Sequence, residues 1–225
     1  QDGFTIFSED ITGNPGEVIC LPFAAKNFSQ LGKVQFSINW DAKKLELIEV
    51  QNSNNLPGVS DNSFVINPLG FLTFQWTGNN MLDDGTELFS LCFRLIGSGG
   101  SCNPVKISGS PMPIEVLPAG GGMNLGLNNL DGNICINNVL VWADTTITNV
   151  GCQDNNSGSI LVNVLGGSPP YNFQWDNGRA TPNLIGLSAG RYTITVTDQT
   201  QPPLRLEATF EVKDVGEAPT LNVGN

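Results

Sequence analysis

Carboxylates, cysteines and indoles are the groups in this 225-residue sequence that could do chemistry, and histidine is absent. Without imidazole, the commonest general base and metal ligand is missing. A cysteine nucleophile would have no histidine to activate it. Glycoside hydrolysis needs two carboxylates held in different environments. Asp83-Asp84 stands before Gly85 and reads as a turn whose carboxylates satisfy backbone N–H groups. Glu9-Asp10 reads as a solvated end. The glycine clusters Gly97–Gly100 and Gly120–Gly122 fall between strands, not between a strand and a helix as a phosphate loop requires. No catalytic residue is therefore assigned, and the sequence reads as that of a non-enzyme.

Oxygen ligands are plentiful. Asp131 follows Asn128 and Asn129, Asp154 precedes Asn155 and Asn156, and Asp176 precedes Asn177. None has the twelve-residue EF-hand spacing. No cofactor is required; calcium is possible at Asp131, Asp154 or Asp176. Five cysteines occur, without a C-x-x-C pair that would suggest zinc. Cys20, Cys92, Cys102 and Cys135 could form two disulfides in an oxidising compartment, with three connectivities open. Buried free thiols are the alternative. Cys152 is left over. Carbohydrate recognition would call for exposed aromatic platforms, but Trp40, Trp76 and Trp175 fall on the apolar parity of their strands and read as core. Trp142 reads as a contact between domains.

Bulk properties narrow the partners. The formal net charge is −11, and the ten Lys and Arg are scattered, with only Lys43 and Lys44 adjacent. No basic stripe exists to neutralise phosphates, which excludes nucleic acid and an anionic membrane surface. No apolar run is long enough to span a bilayer, so membrane insertion is not expected. The first residues lack the charged and apolar regions of a signal peptide.

The elements that must position these groups are strands. Residues 1–139 alternate with period two in Glu17–Ala25, Val34–Asp41, Leu45–Val50, Gly70–Trp76, Val105–Ser108, Ile114–Leu117 and Asn133–Asn137. Within Glu87–Ile96 the apolar run Leu88–Phe93 predicts burial on both faces. Counting one short strand before Glu17, nine strands predict a two-sheet jelly roll. Gly13–Glu17, Gln35–Asp41, Asn55–Gly58, Gly70–Trp76, Asp84–Phe89, Pro111–Val116 and Asp131–Ile134 occur in the order seen in cohesins, and the stretch resembles that family. The resemblance implies a nine-stranded jelly roll with a scaffold or protein-binding role and no catalysis. Cohesins of cellulose-degrading complexes bind dockerins. The four cysteines depart from that pattern and resemble copies in long surface proteins of Bacteroidetes.

Residues 140–145 read as a linker, with Asp144-Thr145-Thr146 matching an O-glycosylation pattern of that phylum at Thr145. Signal peptides of that phylum are often cut before a Gln, so Gln1 fits a mature start; a boundary chosen for expression fits equally well. Across 146–213, Ser159–Leu165, Tyr171–Trp175, Arg191–Asp198 and Leu206–Val212 alternate, with a tight-turn signal at Asn177-Gly178. They predict a smaller immunoglobulin-like sandwich. Gly166–Tyr171, Gln174–Gly178 and Leu187–Asp198 resemble the SprB-type repeat of gliding-motility adhesins, related in shape to polycystic-kidney-disease-like domains. The resemblance implies a long extracellular protein exported by the type IX system. Residues 214–225 read as a linker or the start of a further module.

The sequence thus reads as all-β: a structural or adhesive segment of a secreted, cell-surface protein or filament. Its partners would be neighbouring modules of the same long chain and further copies in a filament or bundle. The alternative is a recognition module binding a glycan or a dockerin-like protein through the first domain.

Overall fold

The computed structural model describes residues 3–151 and 155–215. The chain divides into two compact units, 1–138 and 139–225. Both are all-β.

In the first unit, one sheet runs in the order β11 (Asn128–Leu130), β1 (Thr5–Phe7), β3 (Val18–Lys26), β8 (Thr86–Leu95), β5 (Leu45–Asn52). The second runs β2 (Ile11–Gly13), β12 (Gly132–Ile136), β9 (Ser101–Ser108), β4 (Leu31–Asn39), β7 (Phe71–Asn80), β6 (Phe64–Asn67), and β10 (Glu115–Pro118) also pairs with β4. The two sheets form the jelly-roll sandwich expected from the alternation. The described residues hold twelve strands in this unit, not nine. Two pieces stand where one was expected before Glu17, and β6 and β11 are additional. Segments of three or four residues are too short to display a period-two pattern.

Parity fills the space between the sheets. Val34, Phe36 and Ile38 of β4 and Leu72, Phe74 and Trp76 of β7 are buried, with Val34 opposite Trp76, Phe36 opposite Phe74 and Ile38 opposite Leu72. Phe89, Leu91 and Phe93 of β8 face Phe23, Leu21 and Ile19 of β3. Aromatic rings meet at the centre, with Phe74 5.1 Å from Phe36 and 5.2 Å from both Phe64 and Phe89. Trp76 is 1% exposed, its ring lies edge-on 5.2 Å from Phe28, and its Nε1–H donates to the Pro57 carbonyl at 2.8 Å. The indole thus buries its bulk without orphaning its one donor.

The second unit packs two three-stranded sheets, β13 (Leu140–Thr148)–β14 (Gly158–Gly166)–β16 (Asn183–Leu187) and β15 (Asn172–Trp175)–β17 (Gly190–Thr197)–β18 (Arg205–Val212). Ile160, Val162, Val164, Trp175, Ile194, Val196 and Val212 form its core. The tight turn at Asn177-Gly178 is present, with Gly178 at φ +81° and its N–H on the Trp175 carbonyl. Residues 140–145 are not a linker. They belong to β13, paired along its length with β14, and a register shift between Trp142 and Asp144 breaks the alternation that would have disclosed the strand. Trp142 accordingly serves this unit, its ring 5.7 Å from Phe210, which stands 6.3 Å from Trp175.

Replacing Trp76 with Ala removes a wholly buried ring and leaves a cavity, a change that costs roughly 3–5 kcal/mol in a packed core. Urea unfolding of W76A followed by circular dichroism is expected to show the first unit's midpoint lowered accordingly.

Candidate functional site

Cys20 and Cys92 stand directly opposite one another on β3 and β8 and are disulfide-bonded. Cys102 and Cys135 are likewise opposite on β9 and β12 and bonded. Both bridges lie on the outward parity, since Leu21, Phe93, Asn103 and Ile134 next to them are buried on the other face, although Cys92 is itself covered. Cys152 lies outside the described residues.

The candidate calcium ligands have structural duties. Asp131 accepts the Ile107 N–H at 3.0 Å and the Asn129 side-chain amide at 2.8 Å through the same Oδ1. Asp176 accepts the Thr193 N–H at 2.9 Å. Asp154 lies outside the described residues. Among the described residues no three His, Cys, Asp or Glu side chains gather where they could hold a metal ion. One member of each carboxylate pair is also engaged: Asp84 accepts the Asn27 N–H at 2.7 Å, and Asp10 accepts both the backbone and side-chain N–H groups of Asn133. Thr145 lies within β13 opposite Val162 and is half-buried.

Two surfaces of the first unit are shaped by features that local patterning did not disclose. β9 and β10 lie end to end along one edge of β4, joined by residues 109–114. This segment loops out of the sheet plane and covers the outer side of β4. Gln35 donates to the Pro113 carbonyl, and the Ser37 hydroxyl both accepts the Met112 N–H at 2.8 Å and donates to the Met112 carbonyl at 3.2 Å. Gln35 and Ser37 sit on the polar parity yet are buried for this reason. At the side of the sandwich, where β5 and β6 end their sheets, a hollow of about 400 Å³ is lined by Trp40, Leu45, Leu47, Ile66, Pro68 and Ile96.

In the second unit one polar cluster is buried. Asp198 is 4% exposed and accepts four hydrogen bonds, from the N–H groups of Ser168, Thr200 and Leu204 and from the Thr200 hydroxyl. Burial alone would raise its pKa, but the four donors outweigh it and hold the carboxyl below the usual carboxylate range. Tyr171 donates to the Gly166 carbonyl at 2.7 Å, and burial, with the nearby Asp198 charge, raises its pKa. Gly167 must be glycine: its φ is +57°, and a Cβ would stand 2.5 Å from Asp198 Oδ2. The run Gly166–Tyr171 and the Thr197-Asp198 pair are therefore one device that anchors the loop between β14 and β15. The signal was present in the sequence. Asp198 falls on the same parity as the inward Ile194 and Val196, where an unpartnered aspartate would be costly.

With this geometry established, comparison with known proteins places both units. A family model for the cohesin domain matches residues 5–112, and one for the SprB repeat matches residues 145–180. Among solved structures, a type I cohesin–dockerin complex from Clostridium thermocellum is similar at 14% identity and a TM-score of 0.52, covering 60% of this chain and 99% of that one. The third cohesin ScaC from Acetivibrio cellulolyticus, solved in complex with the ScaB dockerin, is similar at 14% identity and a TM-score of 0.51, covering 60% and 99%. A non-cellulosomal cohesin from the archaeon Archaeoglobus fulgidus is similar at 17% identity and a TM-score of 0.50, covering 60% and 91%. At these identities the likeness is one of fold. No curated protein matches the chain.

The depressed pKa of Asp198 sets a pH dependence. The unfolded chain binds this proton more readily than the folded one, so the carboxylate's contribution is complete above the unfolded pKa, near 4, and disappears as pH falls through the lower folded value. Thermal unfolding of the second unit between pH 7 and pH 2 is expected to show its Tm falling on the acid side. In Asp198→Asn the Tm is expected to be lower at pH 7 and to change less on acidification.

Proposed function

We propose that this chain, which joins a cohesin domain to a SprB repeat, is a non-catalytic structural or adhesive segment of a large secreted cell-surface protein or filament. The observation that carries this reading is where the reactive groups are. Asp10, Asp84, Asp131, Asp176 and Asp198 each accept a backbone N–H, Glu46, Glu49, Glu87, Glu115 and Glu207 pair with neighbouring side chains, and the four described cysteines are joined in two disulfides. Such bridges persist where the surroundings are oxidising. Both matched families are modules that bind or space rather than catalyse. The SprB resemblance favours an extracellular setting, with partners among neighbouring modules and further copies of the same protein. No helix of the described residues is long and apolar enough to cross a membrane. The reading calls for no cofactor.

Protein recognition through the first unit is the second reading, supported by the solved cohesins that are held in complexes with dockerins. The segment 109–114 over β4 alters the outer face that such a partner could approach. A glycan has less support, since Trp76 and Trp175 are committed to packing and Trp40, though it borders the hollow beside β5 and β6, is only 9% exposed.

Antibodies against the folded chain are expected to label intact, unpermeabilised cells of the source organism. Labelling confined to lysed cells would contradict a surface role. Calorimetric titration of the full chain with a panel of dockerins separates the second reading from the first: micromolar or tighter binding would favour recognition.

A further inference from the structure

The first unit's earliest and latest strands lie side by side and parallel. Thr5, Ile6 and Phe7 of β1 pair with Asn128, Asn129 and Leu130 of β11, and Ile11, Thr12 and Gly13 of β2 pair with Ile134, Cys135 and Ile136 of β12. Further bonds extend the seam: Asn128 N–H to the Phe4 carbonyl, Ser8 N–H to Leu130, Asn137 N–H to Gly13, and the Asn137 side chain to Asn14. In a parallel pair the incoming and outgoing chain ends leave at opposite ends of the ladder. Tension between them slides one strand along the other and loads these bonds together, whereas an antiparallel pair would open one bond at a time.

Beyond this seam the disulfides intervene. A chain pulled from its start is arrested at Cys20, which passes the load to Cys92 across 72 residues of sequence. A chain pulled from the other side is arrested at Cys135, which passes it to Cys102 across 33 residues. The two bridges lie in series, and the stretch from Cys92 to Cys102 joins them. Of the buried core of this unit, only Phe4, Ile6, Phe93, Leu95 and Ile136 lie outside the two closed loops.

We propose that the first unit is a load-bearing link that yields by one short step, the shearing of its terminal strands, and is then stopped by its two disulfides. This deepens the reading of the chain as a structural segment and rests on it. Of the unit's 138 residues, the bridges remove 72 and 33 from the load path. About 33 remain free to lengthen, or at most ~110–120 Å of extended chain at 3.3–3.6 Å per residue. Without the bridges the same unit would release roughly 450–500 Å, about fourfold more.

The test is single-molecule stretching of the full chain held by its two ends. In oxidising buffer the first unit is expected to rupture in one event with a contour gain no greater than ~120 Å. The double variant Cys20→Ser with Cys92→Ser is expected to gain roughly 350–380 Å, and Cys102→Ser with Cys135→Ser roughly 220–240 Å. The second unit, with no disulfide between described residues, supplies a step expected to be the same in every experiment. Equal first-unit gains in the wild type and both double variants would overturn the proposal, as would gradual lengthening at low force in place of a rupture. Where a double variant does not fold, the oxidised wild type decides alone: a gain near the full length of the unit overturns the proposal. The mechanics are read independently of location, so a short step in a chain absent from the cell surface would sink the proposed function and leave the link intact.

Discussion

Aromatic packing between two stacked sheets is the constraint on which the rest of the first unit depends. Phe36, Phe64, Phe74 and Phe89 meet at ring separations near 5 Å, and Phe23 joins them through Phe89. Each ring comes from a different strand: β4, β6, β7, β8 and β3. Contacts among five strands bring the two sheets together, and that fixes the register on which everything outside them relies. The opposed cysteines, the buried Ser37 and the parallel terminal strands all follow from that register.

A division of labour follows. Apolar groups hold the sheets face to face, and polar side chains fix the loops. Asp84 secures the turn at Asn27, which has positive φ; Asp10 secures Asn133; Asp198 secures the loop after β14. Each satisfies a backbone donor that would otherwise be left without a partner. Among the described carboxylates, Asp10, Asp84, Asp131 and Asp176 are in this way part of the framework. The two ion pairs with the most exposed partners, Arg94–Glu46 and Arg205–Glu207, add little to it, because water screens them.

Much of this was legible in the sequence where the pattern was local. The run Leu88–Phe93 announced a doubly buried strand, and β8 is one, lying inside its sheet between β3 and β5. The parity of Trp40, Trp76 and Trp175 placed them in the core, where they are. What escaped is what depends on distant residues or broken periodicity. The cover over β4 arises from hydrogen bonds spanning 75 and 78 residues of sequence. The strand at 140–148 was hidden because an irregularity next to Trp142 reverses the in–out order. The cysteine pairing required a register that no local spacing contains.

Since the account assigns the indoles to packing rather than to a ligand, their accessibility is its most direct test. Acrylamide quenching of tryptophan fluorescence in the native full chain is expected to be weak, to rise severalfold on unfolding in guanidinium, and to be unmoved by added polysaccharides. Strong quenching of the native protein that a polysaccharide suppresses would mean that the rings line an open binding surface, and would contradict the account at its base.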